Sequence, residues 1–300
     1  MKVAVAVLLA SLSALVAPTA PPPAAAAASA QPDRITVIGD SILTAVQWNP
    51  QPLAILEQGL PRIDLQIAVC RRLTGSSCPF DGERPSNLVD LVQSLGDEIG
   101  STVVVEVGYN DPAQGFAAAV DDSVQALLAA GVQRILWVNY HDWVPEYTQL
   151  NAILAQVLAK YPQVTIVDWQ ADSLNQYSWF QSDGIHLVFT GAVALATLIH
   201  DELVRALTPP IVPYGPAAIF AQVGSRFTTR LDVTGGEGPF RWRVTGRALG
   251  RGVHLLANGI LCGTPRTPGQ TSIDLQVSDA WGDSAPLRIE LIVRPRGSPR

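Results

Sequence analysis

ITVIGDSILT, residues 35–44, is the stretch from which the rest of the chain is read. Ile35 to Ile38 are four β-branched residues in a row, a run that suits a strand buried on both faces of a parallel sheet. Gly39 breaks the run, so Ser41 falls at the strand's carboxyl end, where open α/β sheets bind their ligands. A serine hydroxyl is a weak nucleophile by itself and needs a base within hydrogen-bond reach and a third group to orient that base. Asp183-Gly184-Ile185-His186 offers both residue types three positions apart, a spacing at which one turn can aim them at a common point. The bland alternatives are a helix-capping Ser41 and an Asp183 cap followed by an incidental histidine.

Downstream the pattern alternates between short apolar runs and helix-length segments. Strands are predicted at Ile63–Val69, Thr102–Val107, Val132–Asn139 and Val164–Asp168. Helices are predicted at Leu53–Gly59, at Ser86–Leu95 with Ser86 as cap, at Ala113–Ala130 opened by Asp111-Pro112 and closed by Gly131, at Glu146–Lys160 and at Phe189–Leu207. Strands alternating with helices imply a parallel sheet in a three-layer α/β/α sandwich. Four prolines within residues 208–216 then favour an extended connector. Beyond it, period-two segments at Ala218–Val223, Phe227–Val233, Phe240–Thr245, Val253–Leu256, Ser272–Ser278 and Leu287–Val293 predict an all-β sandwich with Trp242 as its core aromatic.

Composition bounds the function. An apolar share of 48% with 15% charged residues supports a sizeable core. Residues 1–17 carry one lysine and a short apolar run, and small residues follow to Ala30, the pattern of a secretory leader cleaved near that point and too short for a membrane span. Pro18 to Ala28 is Pro/Ala low-complexity sequence. Residues 31–210 hold 8 basic against 20 acidic residues and residues 211–300 hold 11 against 6, so the halves read as different modules. An exported chain with an acidic first half excludes nucleic acid as partner, while the basic second half admits an anionic surface polymer, scattered surface arginines being the alternative.

Cys70, Cys78 and Cys262 are the only cysteines. Export makes a disulfide plausible, and Cys70 with Cys78 is the favoured pair because it encloses one short loop; three small buried hydrophobes are the alternative. No cysteine or histidine spacing matches a zinc site. Among the four histidines, His200 lies in a helical pattern, His141 follows a strand end and could line the pocket, and His254 sits in the β half.

The motifs V-I-G-D-S, V-G-Y-N-D at 107–111 and D-G-I-H-L at 183–187 resemble, in order and spacing, the SGNH or GDSL-type hydrolases over roughly residues 33–207. The resemblance implies a flavodoxin-like sheet of five parallel strands, a Ser41-His186-Asp183 triad with no metal or organic cofactor, and an oxyanion met by the Ser41 N–H and the Asn110 side chain. An Asn-Asp-Pro turn is the alternative for Asn110. Gly108 allows close backbone approach. The family's usual third donor is a glycine N–H after the second strand, and here the sequence departs: Ile67-Ala68-Val69 runs into Cys70-Arg71-Arg72, with Gly75 the nearest glycine. Cys70, Arg71 and Gly75 are therefore the backbone candidates. Arg71 and Arg72 could also contact an anionic leaving or acyl group, surface charge being the default reading. Trp48, Trp143, Trp179 and Phe180 are candidate walls of an acyl or sugar pocket, core packing being the alternative; Trp179 and Phe180 are favoured because they directly precede Asp183.

After the linker, G-E-G-P-F-R-W at 236–242, N-G-I-L-C-G-T-P at 258–265 and L-Q-V-S-D-A-W-G at 275–282 resemble bacterial immunoglobulin-like repeats. The expected organisation is a leader with Pro/Ala segment over 1–30, a hydrolase domain over 31–208, a linker over 209–216 and an immunoglobulin-like sandwich over 217–296. The expected activity is a secreted or cell-surface bacterial serine esterase (acylhydrolase) acting on a small-molecule or carbohydrate ester. The alternatives are transfer of the acyl group to a cell-wall carbohydrate, or an inactive surface-binding protein.

Overall fold

The computed structural model describes residues 34–297; the leader expected over 1–30 lies outside them. Five parallel strands form the first sheet: β1 (Arg34–Gly39), β2 (Arg62–Ile67), β3 (Thr102–Glu106), β4 (Arg134–Val138) and β5 (Val164–Val167), in the order β2-β1-β3-β4-β5. The β-branched runs read as central strands are β1 and β3, whose interiors are wholly buried. Helices cover both faces: α1 (Thr44–Gln47), α2 (Pro50–Glu57), α3 (Leu88–Leu95), α4 (Phe116–Ala129), α5 (Pro145–Leu158), α6 (Trp169–Asp172) and α7 (Phe189–Leu207). Successive strand residues alternate between two cores. Ile38, Val103, Val105, Ile135 and Trp137 face α3, α4 and α5, whereas Ile35, Val37, Val104, Leu136 and Val138 face α1, α2 and α7.

This strand order places the reversal of direction between β1 and β3. The chain leaves β1 toward β2 on one side and leaves β3 toward β4 on the other, so the loops after β1 and β3 open a crevice at the sheet's carboxyl edge. Asp40-Ser41 and Tyr109-Asn110 occupy those two loops.

Two helix starts differ from expectation. Asn87, not Ser86, caps α3 by accepting the Asp90 N–H, and the Ser86 carbonyl accepts the Arg71 guanidinium. Helix α4 begins at Phe116 behind a left-handed Gly115, three residues later than Asp111-Pro112 predicted. Asp111 is occupied elsewhere: both its carboxylate oxygens accept the Leu73 N–H, pinning the loop that follows β2.

The C-terminal region contains β6 (Val212–Tyr214), β7 (Ala218–Gln222), β8 (Phe227–Arg230), β9 (Asp232–Thr234), β10 (Arg241–Val244), β11 (Val253–Leu255), β12 (Ile260–Gly263), β13 (Gly269–Ser278) and β14 (Ser284–Arg294). They make a four-stranded sheet, β10-β13-β14-β7, a three-stranded sheet, β11-β12-β8, and the β6-β9 pair. Trp242, Leu261, Ile273, Leu275, Val277, Ile289 and Leu291 share one core. The single strand expected over 227–233 splits at Leu231, whose N–H donates to the Gly259 carbonyl; β8 pairs with β12 and β9 with β6. The Pro-rich stretch thus supplies a paired strand as well as a connection.

Candidate active site

Ser41 sits in the turn between β1 and α1. Its carbonyl accepts the Thr44 hydroxyl at 2.6 Å, and its own hydroxyl lies 3.0 Å from Nε2 of His186, 145 residues away in sequence. Nδ1 of His186 lies 2.7 Å from Oδ2 of Asp183. With Nδ1 facing a carboxylate, the neutral ring carries its proton there and presents the Nε2 lone pair to the serine.

The Asp183–His186 turn is built from backbone. Oδ1 of Asp183 accepts the N–H groups of Ile185 and His186, so both carboxylate oxygens are engaged within the turn. Gln181 N–H donates to the His186 carbonyl, and a bridge between Phe180 and Leu187 closes the hairpin. Gly184 is left-handed (φ 70°), and a Cβ there would meet the Trp143 ring at 2.3 Å. Glycine is required at this point for both reasons. Burial alone would raise Asp183, but the Ile185 N–H and the His186 ring outweigh it and hold the carboxyl below its ordinary range.

The opposite wall is buried. Asp40 is fully buried, with Oδ1 accepting the Ile42 N–H and Oδ2 facing Nδ2 of Asn110 at 3.2 Å. Burial raises Asp40 to about 6 against the pull of the Ile42 and Gly108 N–H groups and of His186. Beneath it, burial and the neighbouring Asp40 push Glu106 well above the carboxylate range. Nδ2 of Asn110 also faces the Arg71 carbonyl at 3.3 Å, while the Asn110 carbonyl accepts Nε of Arg72 at 2.7 Å. Both Nδ2 contacts are at or beyond the long end of the normal range, the geometry of a donor with capacity left.

The loop after β2 carries the remaining donor candidates. Cys70 and Cys78 are disulfide-bonded, and Cys262 is free. Cys70 is left-handed (φ 70°), and the Arg71 N–H is spent on the Ala68 carbonyl, which leaves Cys70 as the better placed of the two candidates. Gly75 lies in a different cleft, with Asn87, Asp90 and Asp122, and its carbonyl accepts Nδ2 of Asn87. Arg71 is a correction to the surface reading: only 4% of it is exposed, and it reaches inward to the Ser86 carbonyl.

Three further expectations are redrawn by packing. Phe180 is buried and stacks on His141 at 3.9 Å, which places it in the core under the Asp183–His186 turn, whereas the half-buried Trp179 stacks one face on Trp169 at 5.5 Å. His141 is itself buried, with Nδ1 on the Ser173 hydroxyl. Gly108 does allow close approach, but of the Tyr140 hydroxyl, which a Cβ would meet at 2.0 Å. Trp143 is 44% exposed and covers the triad turn.

Asp40 and Glu106 are site residues that the sequence reading does not single out, and Arg72 is placed at the site by its bond to the Asn110 carbonyl. A local signal exists for Glu106, which interrupts the apolar run at 102–107 that the sheet buries, whereas Asp40 lies just past the end of β1. Among the described residues no cluster of His, Cys, Asp or Glu could hold a metal ion, and no helix is long and apolar enough to cross a membrane.

The site therefore joins a hydroxyl, an imidazole and a carboxylate at the switch point of an α/β sheet. No family profile matches this chain. It is 26% identical over 164 residues to the peptidoglycan O-acetyltransferase OatA of Listeria monocytogenes, a match covering 54% of this chain and 22% of that protein. The chain thus spans about a fifth of the length of that relative. Among solved structures, the psychrotrophic esterase EstA from a Pseudoalteromonas species aligns with 58% of this chain and 98% of its own at a TM-score of 0.45 and 16% identity. A Clostridium thermocellum family 3 carbohydrate esterase aligns with 59% and 99% at a TM-score of 0.40 and 17% identity.

Proposed function

We propose that this chain is an exported SGNH-type serine esterase that forms an acyl-enzyme on Ser41. The observation that carries the reading is the unbroken contact from Asp183 through His186 to the Ser41 hydroxyl, at 2.7 and 3.0 Å. As Oγ of Ser41 attacks the ester carbonyl, Nε2 of His186 takes its proton and Asp183 stabilises the resulting imidazolium. The carbonyl oxygen becomes an oxyanion met by the N–H groups of Ser41 and Cys70 and by Nδ2 of Asn110. Collapse breaks the bond to the alcohol, which leaves with the proton from His186. Water then attacks the acyl-Ser41 ester, giving its proton to His186, and the carboxylic acid departs as Ser41 regains its hydrogen.

A second acceptor is supported by one observation, the similarity to a protein named as a peptidoglycan O-acetyltransferase. In that case a carbohydrate hydroxyl replaces water in the last step, with the same proton path. Residues 1–30 act in this reading as leader and Pro/Ala segment, 31–208 as the hydrolase domain, 209–216 as linker and 217–296 as an immunoglobulin-like sandwich; the two sheets packed on the Trp242 core support the last assignment. The Cys70–Cys78 disulfide is consistent with export.

The test is labelling with a serine-reactive phosphonate alongside turnover of acetyl to octanoyl chromogenic esters. Ser41 is expected to be the labelled residue, and Ser41→Ala to lose turnover by about 10⁴-fold or more. A folded protein that is neither labelled nor active sinks the proposal. Product analysis with a sugar acceptor present separates hydrolysis from transfer.

A further inference from the structure

A second feature adjoins the serine. A cleft of about 300 Å³ runs from Thr44 and Trp48 on one side to Phe80, Glu83 and Arg84 on the other. It begins where β1 and β2 end: the Thr44 hydroxyl donates to the Ser41 carbonyl, and on the opposite wall the Ala68 N–H donates to the Gly39 carbonyl. Ser41 and the cleft therefore share one edge of the sheet.

Two large aromatic rings stand in water here, Trp48 at 69% exposure and Phe80 at 54%. Neither is on a loose segment. Trp48 ends α1, its N–H donating to the Thr44 carbonyl. Phe80 and Glu83 exchange both backbone hydrogen bonds, at 2.8 and 3.0 Å, across Asp81 and Gly82, which are both left-handed (φ 51° and 80°). That is the tight hairpin turn in which a two-residue loop fixes the flanking side chains. The loop is closed behind them by the Cys70–Cys78 disulfide, and the Arg84 guanidinium is anchored to the Ser77 carbonyl.

We propose that this cleft is a saccharide subsite that holds the sugar ring on the alcohol side of the scissile ester. The proposal rests on the serine-esterase reading. A pyranose presents a face of C–H groups that packs on an aromatic ring and a rim of hydroxyls that needs donors and acceptors. The cleft supplies both together, the rings of Trp48 and Phe80 beside the Glu83 carboxylate, the Arg84 guanidinium and the Gln47 amide. An acyl chain fits this lining poorly, because it would cover the charged groups of Glu83 and Arg84 and satisfy none of their hydrogen bonds. The preset backbone of both aromatic positions lowers the ordering cost of binding.

The experiment is isothermal calorimetry on the full chain carrying Ser41→Ala, so that nothing is turned over, with N-acetylchitopentaose and xylopentaose as probes. At least one is expected to bind, with Trp48→Ala and Phe80→Ala each weakening it tenfold or more and Phe80→Tyr restoring affinity to within about threefold. Both side chains are exposed, so unchanged thermal midpoints are expected to certify folding. The subsite is overturned if neither oligosaccharide binds, or if the alanine variants bind as tightly as their parent. It is equally overturned if Phe80→Ala, made with Ser41 intact, raises KM for an octanoyl ester while its Ser41→Ala counterpart keeps its oligosaccharide affinity. Phosphonate labelling of Ser41 without oligosaccharide binding removes the subsite alone. Oligosaccharide binding that depends on Trp48 and Phe80, without labelling, keeps the cleft as a saccharide site but removes the esterase reading and with it the placement on the alcohol side of an ester.

Discussion

Asp183 and Asp40 both lie near the Ser41–His186 contact, and the protein drives their carboxyl groups in opposite directions. Asp183 stands on a half-exposed turn, accepts two N–H groups and the His186 ring, and is held below its ordinary value. Asp40 is sealed between the sheet and α1, and burial lifts it to about 6 despite two N–H donors. Solvation makes the difference, since the hydrogen bonding is comparable. Two like residues with separated proton affinities are suited to separate work. In the proposed reaction Asp183 keeps its charge facing the imidazole that takes the Ser41 proton, while Asp40 is a buried partner of the Asn110 side chain.

Breaking the Asp183 side is expected to have the largest effect. Asp183→Asn keeps the shape of the turn but can offer an N–H to Nδ1, which favours the ring tautomer that cannot accept the Ser41 proton. The expected loss in kcat is about 10³- to 10⁴-fold with KM nearly unchanged. Steady-state kinetics on an acetyl ester checks it; a loss below about tenfold would remove Asp183 from the role proposed.

On the other wall, Asn110→Ala removes one donor and leaves the nucleophile and base untouched. A kcat loss of about 10²- to 10³-fold is expected, with rate of phosphonate labelling falling in parallel. If instead KM rises and kcat holds, Asn110 positions substrate and the oxyanion is met elsewhere.

The contrast also shows what a sequence can carry. Residues 35–44 made β1 legible because a doubly buried parallel strand is one continuous β-branched run, and D-G-I-H was legible because its contacts are local to one turn. The environment of Asp40 depends on Glu106 and Asn110, 66 and 70 positions away, and no local pattern states that they converge. Arg71 looks like surface charge until the Ser86 carbonyl, 15 residues on, is seen to receive it. Phe180 precedes the triad turn in sequence but packs beneath it, and Trp179 lays one face on Trp169, because the ring faces of His141 and Trp169 come from other elements. In the β half, the break at Leu231 follows from which partner each half-strand finds, β12 or β6.

The smallest expected effect is on stability, and it separates the two aspartates by pH. Asp40 binds its proton more tightly in the folded chain, at about 6, than at its ordinary 3.8. Its contribution is therefore fully present below pH 4 and is lost as pH rises through 6. Asp111, raised to about 6 mainly by burial, acts with the same sign. Asp183, held low, has the opposite sign: its contribution is present above its unfolded value and disappears only in more acidic solution. Denaturant unfolding between pH 4 and 7 is expected to show a declining stability that Asp40→Asn makes shallower and Asp183→Asn leaves unaltered. Asparagine at 40 has a single oxygen where the carboxylate meets the Ile42 and Gly108 N–H groups and Nδ2 of Asn110, so the variant also loses hydrogen bonding, but that cost does not vary with pH. The slope is therefore the readout, and an Asp40→Asn slope equal to that of the parent would show that this carboxyl is not where the protein stores its proton.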